Sequence, residues 1–238
     1  MEKDKVHYVL ENTGRDYHPI DDIDFSIITS RIKHLPFFDD DLFLGMQAMN
    51  LGCVDPLITQ YEYSLLQELF DTERTPTELA MVVSSLSQMW IYSCYEVMRM
   101  WRDRMYHFKK LFDNGGIEPK LSNMNDEFLN INLSTRKYQM QRYKESEDYR
   151  QKIDEAWDHI EPVFRLTELV RINLAKHCAP GKNNLLPRAP GYGRINGLCG
   201  ALDWEVLHQE GHYTTINRRD IADALRQSLI DAVEWSTS

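Results

Sequence analysis

The stretch TPTELAMVVSSLSQMWIYSCYEVMRMWRDRMYHFKKLF, residues 75–112, decides the fold. Leu86, Trp90, Met98, Trp101, Phe108 and Phe112 recur along it at helical spacing. Thr75-Pro76-Thr77-Glu78 reads as a capping box with proline in the first turn. Asn114-Gly115-Gly116 reads as a stop. About 37 residues at a rise of 1.5 Å each span about 55 Å. A helix of that length with one Met and aromatic stripe is the spine of a bundle, and the stripe reads as core. Its most apolar part, residues 79–95, holds four serines and Gln88 and runs into Arg99. That pattern predicts a buried helix, not a membrane span.

Upstream, residues 1–35 are polar apart from a short β-branched run at 25–29, and they read as an N-terminal arm. Asp39, Asp40 and Asp41 suit a helix start. That helix is expected to stop at Gly52, and Asp55-Pro56 to open the next. Leu57, Tyr61, Leu65, Leu66, Leu69 and Phe70 give the second helix its apolar face. Downstream, a charged, tyrosine-rich helix starts near Ser134, and Pro162 is expected to divide it from the helix that follows. Residues 182–200 are rich in Gly, Pro and Asn and have no period. Residues 201–207 and 212–216 read as two strands around Gln209-Glu210-Gly211, and Asn217 as the cap of a last helix. The prediction is a mainly α fold: a helical bundle with one long central helix and a small C-terminal β-hairpin. Its domain spans residues 36–238, with the hairpin and last helix at 201–238.

The chain has 238 residues and a net charge of −10, with 42% hydrophobic and 27% charged residues, an ordinary globular balance. Cys53, Cys94, Cys178 and Cys199 form no CxxC pair, which argues against a zinc framework and fits a reducing cytoplasmic setting. The first residues, MEKDKVHY, carry no apolar leader. Acidity is uneven. Residues 165–194 hold six Lys or Arg against one acid, Glu168, and residues 99–110 hold five plus His107 against Asp103. Such local surplus leaves an anionic partner compatible with an acidic chain.

The first basic region contains VRINLAKH, residues 170–177. Leu166, Leu169, Val170 and Leu174 lie on one helical face, and Arg171, Asn173, Lys176 and His177 close the helix before Pro180-Gly181. Arg is a permanent fork-shaped phosphate donor, and His exchanges protons near neutrality. Arg171-x5-His177 resembles the Arg-x4-6-His motif of the HEPN superfamily, helical-bundle proteins among which many are metal-independent RNases. The family usually carries a polar residue directly after the Arg. Here that position is Ile172, and the polar residue is Asn173, four before His177 on the same face. In an unbroken helix Arg171 then lies about 120° around the axis from His177.

The resemblance implies a proton-transfer role for His177, phosphate-charge stabilisation by Arg171, and orientation of the imidazole or a phosphate oxygen by Asn173. Lys176, Lys182, Arg188 and Arg194 are the expected RNA-backbone contacts. Arg102-x4-His107 is a second match: Asp103 and His107, also at i and i+4, read as a pair that supports the bundle, and Arg102 with His107 is a reserve pair or a second basic wall of one cleft. The family further implies a homodimer, no cofactor or metal, and a toxin or defence effector with an antitoxin or regulatory partner.

Other motifs are read structurally. His208-Gln209-Glu210-Gly211-His212 resembles a zinc-protease HExxH with the Glu one place late, and Gly211 signals a turn, so no metal site is assigned there. The aspartates at 21, 22, 24 and 39–41 read as loop and cap. Gly191-Tyr192-Gly193-Arg194 reads as a turn. Two functions follow from these readings: a metal-independent HEPN-type endoribonuclease, or a non-catalytic helical interaction or scaffold protein.

Overall fold

A computed structural model describes residues 17–124, 130–182 and 184–236. Seven α-helices run among the described residues: α1 (Ser26–Ile32), α2 (Leu42–Thr72), α3 (Thr77–Asp113), α4 (Ile117–Ser122), α5 (Ile131–Glu145), α6 (Glu147–Lys176) and α7 (Arg218–Ser236). An antiparallel sheet of three strands, β1 (Gly193–Ile195), β2 (Leu202–Leu207) and β3 (Tyr213–Ile216), precedes α7. The mainly α bundle with a small C-terminal sheet is therefore as expected. Among the described residues no helix is long and apolar enough to cross a membrane.

The spine is α3, and its stripe of Trp90, Ile91, Cys94, Met98, Trp101, Met105 and Phe108 is buried. It packs between α2 and α6, and α6 in turn packs on α7. Trp101 meets Trp157 with ring centroids 5.6 Å apart, and Phe37 meets Phe108 at 5.4 Å. Burying each such ring contributes roughly 1.5–3 kcal/mol. The capping box does not form: α3 starts after Pro76 with no side-chain cap, and Thr77 Oγ1 donates to Thr75 O instead.

The breaks expected at Gly52, Asp55-Pro56 and Pro162 do not occur there. α2 continues through Gly52 and Pro56. A Cβ on Gly52 would lie 2.5 Å from Thr29 Cγ2, so this glycine lets α1 approach α2 instead of ending a helix. Asp55 is no cap; it is wholly buried beneath α7. α6 likewise continues through Pro162, and the division comes at Ser146, which is extended and accepts from Tyr149 N at 3.1 Å. The arm's first sixteen residues lie outside the described residues, but its remainder joins the core: α1 buries Ile28 and Ile32. β1 also takes up Gly193 and Arg194, which read as turn; Gly193 pairs with Trp204, and a Cβ there would lie 2.8 Å from Leu202 Cβ.

The aspartate run is consumed by structure. Asp41 caps α2 by accepting from Phe43 N at 3.0 Å and Leu44 N at 2.9 Å, and Arg104 from α3 donates to its other oxygen at 2.7 Å. Arg142 pairs with Asp39 and Asp40.

α7 is fixed by a sealed ionic cluster. Arg218 donates to Glu62, Asp55 and Thr59 on α2, and Arg226 bridges Asp55 and Asp223. Arg218, Asp55 and Glu62 have 0% exposed side chains. Burial works against the Arg218 charge, but Glu62 and Asp55 outweigh it and push its pKa up. Asn217 caps α7 as expected, exchanging bonds with Asp220 at 2.9 Å in both directions. Gly200 (φ +75°) lies against α2, where a Cβ would come within 1.8 Å of Glu62 O.

Candidate functional site at the end of α6

Helix α6 buries Leu166, Leu169, Val170 and Leu174 and leaves Arg171 half-buried. The Arg171 guanidinium lies 4.7 Å from the centre of the Tyr95 ring on α3. Tyr95 stacks on Phe164 of α6 with centroids 5.5 Å apart and planes 20° off parallel. Arg102 of α3 in turn lies 4.6 Å from the centre of the Phe164 ring. Two of the predicted arginines thus flank one aromatic pair at the α3–α6 seam. Each such cation–π contact is worth roughly 0.5–1 kcal/mol. Burial pushes the Tyr95 hydroxyl up, the Glu168 carboxylate adds to this, and Arg171 and Arg102 oppose it. Tyr95 therefore stays protonated, and its hydroxyl donates to Glu168 Oε1 at 3.5 Å.

His177 ends α6. It is exposed and takes a left-handed conformation at φ +52°, so the helix loosens at this residue. Gly181 (φ +69°) turns the following loop, and buried Cys178 and Ala179 anchor it. Lys176 and Lys182 are exposed beside it.

Asn173 has a different task from the expected one. It is buried, accepts from Leu207 N at 2.9 Å, and donates to Leu207 O at 3.1 Å and Leu169 O at 3.0 Å. Its amide mimics a neighbouring strand and clamps the end of β2 onto α6. The clamp brings the β2–β3 hairpin tip to the His177 end of the molecule. There a Cβ on Gly181 would lie 3.5 Å from Gln209 Nε2. Arg188 joins this end through Tyr213, 4.7 Å from its ring centre. Arg194 lies on β1, pairs with Glu205 at 3.6 Å, and belongs to the sheet.

The reserve pair is divided. Arg102 belongs to the aromatic seam, but His107 is exposed further along α3. Burial lowers the pKa of His107, and Lys120, Arg136 and Lys110 add to this. The expected Asp103–His107 pair does not form, because Asp103 accepts from Arg99 and Arg102, each at 2.9 Å. α3 and α6 run antiparallel, as Tyr95–Phe164, Trp101–Trp157 and Lys109–Asp154 show. His107 and His177 therefore sit about 35 Å apart along the bundle.

The 208–212 stretch, to which its sequence assigns no metal, forms a cluster of donors. His208, Glu210 and His212 place ligand atoms within 4.8 Å of one another at the hairpin tip. Gly211 does make a turn, at φ +87°. The turn excludes a helical zinc motif, as expected, yet it also folds positions i and i+4 onto each other. The signal was available: alternate donors at i, i+2 and i+4 around a hairpin glycine.

No family model, curated protein or solved structure matches this chain.

Proposed function

We propose that the chain is a metal-independent endoribonuclease of the HEPN type, acting in the cytoplasm as a toxin or defence effector. The observation that carries the reading is a fixed cation and a proton-transfer group at one helix end. Arg171 is steadied on Tyr95, and His177 stands exposed where α6 unwinds. Six residues of helix separate the two by about 9 Å along the axis and about 120° around it; in this reading the unwound backbone at His177 and the long Arg171 side chain bring both to one phosphodiester. His177 moves the proton of the ribose 2′-hydroxyl or protonates the leaving oxygen. Arg171 meets charge building on the phosphate. Lys176, Lys182 and Arg188 attract the backbone, and Asn173 positions the hairpin beside them.

A homodimer is part of the proposal. α2 and α3 expose Leu42, Phe43, Met46, Leu57, Met81 and Met89, a run of large apolar side chains of the kind that marks interaction surfaces. The same surface supports the second reading, a non-catalytic interaction protein, and would equally receive an antitoxin.

The test incubates tag-free protein with a mixed RNA pool in chelator, alongside His177→Ala and Arg171→Ala. Cleavage by the wild type in chelator, reduced at least ~100-fold in both folded variants, is the expected result. Cleavage that His177→Ala leaves intact, or that chelator abolishes, overturns the reading. A wild type that cleaves nothing shifts the assignment to the interaction protein, which Met46→Asp with Leu57→Asp should then disable.

A further inference from the structure

We propose that the tip of the β2–β3 hairpin is a transition-metal site, in which His208, Glu210 and His212 hold one zinc-class divalent ion. The proposal does not rest on the ribonuclease reading and uses none of its reacting groups.

Three observations carry it. The first is the donor set. Two imidazoles and one carboxylate form a mixed nitrogen and oxygen set that suits zinc and its borderline neighbours, with a coordination position left for water. The second is convergence. The three ligand atoms already lie within 4.8 Å of one another, and the two imidazole rings stack with centroids 4.2 Å apart. Tetrahedral ligands about 2.0–2.2 Å from an ion sit roughly 3.4 Å apart, so side-chain rotation alone closes the site.

The third is the frame beneath the donors. His208 N donates to His212 O at 3.0 Å, and Gly211 N to His208 O at 3.0 Å. These bonds fix the register that brings the two histidines together. His208 Nε2 lies 2.8 Å from Thr214 Oγ1. A metal-binding histidine commonly uses its second nitrogen in such a bond, which sets the tautomer and aims the ring. In the site His208 keeps Thr214 on Nε2 and presents Nδ1 to the ion. One residue back, Asn173 grips Leu207 through both backbone groups, tying the hairpin to α6. Glu210 and His212 are exposed, so an ion enters directly from solvent. Once bound, it closes the hairpin tip at the end of the molecule that also carries His177.

The experiment titrates Zn2+ by calorimetry and Co2+ by visible absorption into the tag-free full chain. A Cys53→Ser background removes the one cysteine that is exposed among the four. One equivalent is expected to bind. His212→Ala and Glu210→Gln should each raise Kd at least ~10-fold, and Thr214→Val about 10-fold with stoichiometry kept. His177→Ala should bind as the wild type does, which separates this site from the proposed RNA site. Because Glu210 and His212 are exposed, their variants should keep the wild-type circular dichroism. Absence of saturable one-equivalent binding to the wild type overturns the proposal. So does binding that His212→Ala and Glu210→Gln leave unchanged.

Discussion

Two polar constellations stand in contrast. At the end of α6, Arg171, Lys176 and His177 lie close in sequence and share a helix, yet they face different directions and keep contact with solvent. Between α2 and α7, Asp55, Glu62, Arg218 and Arg226 come from opposite ends of the chain and close into one network from which solvent is shut out. The first has the right chemical types in an open arrangement, and the second a finished geometry with no access. Burial is what separates the roles. A sealed charge requires all its partners in the native state and reports on architecture. An exposed histidine costs little to hold and remains available to a substrate.

The contrast can be broken most directly at the sealed cluster. Arg218→Ala leaves Glu62 buried without a cation and Asp55 with Arg226 alone, and should cost about 3–5 kcal/mol. Gly200→Ala should cost at least ~3 kcal/mol, since a Cβ meets Glu62 O at a positive φ. Denaturant midpoints measure both, and wild-type stability in Arg218→Ala would remove the architectural role assigned here.

Asn173 tests the boundary between the regions. It was expected to serve the site, but it clamps Leu207. Asn173→Ala should therefore destabilise by about 2–3 kcal/mol, because two buried backbone groups lose their partner. A variant that loses only activity would return Asn173 to the reacting group.

Asp41 sharpens the comparison through pH. Burial pulls its carboxyl upward, but the Leu44 N–H and Arg104 outweigh this and hold it below the usual value. The folded state therefore keeps the charge to lower pH than the unfolded chain does. This contribution is complete above about pH 4 and is lost as pH falls through the lowered folded value. Asp41→Asn keeps a capping oxygen and removes the charge. Its stability deficit of roughly 2 kcal/mol near neutrality, chiefly from the weakened bond to buried Arg104, should shrink on acidification. A deficit constant from pH 6 to about pH 3 would contradict the shift.

The smallest effect belongs to the exposed end. His177→Gly should stabilise by about 1 kcal/mol by relieving the left-handed backbone, while abolishing any cleavage that His177 supports. Loss of stability instead would make this histidine part of the scaffold.

Helix periods were legible because they are local. Trp90, Met98, Trp101 and Phe108 repeat within one element, and Asn217 and Asp220 are three residues apart. The breaks at Gly52, Pro56 and Pro162 were misread for the opposite reason. Whether a glycine ends a helix or admits a neighbour depends on Thr29, and the burial of one long helix face outweighs the roughly 3 kcal/mol that a mid-helix proline costs. Ser146, with Tyr149 N as its target, carried the cap signal that Pro162 overshadowed. At the candidate site, Arg171 and His177 could be read from one helix end. The aromatic pair joining Arg171 to Arg102 required α3 and α6 to be laid antiparallel, and the hairpin cluster required a turn to reverse the chain.

By itself the sequence determined the helical class, the long spine, the C-terminal hairpin, the last helix with its cap, and the polar end of α6. All of these follow from side-chain period and chemistry within a few residues. Only the tertiary structure decided that Asp55 and Arg218 meet, that Asn173 holds β2, and that Arg102 leaves His107 to join Arg171. Those outcomes depend on which faces become buried against each other, and burial is a property of the packed chain.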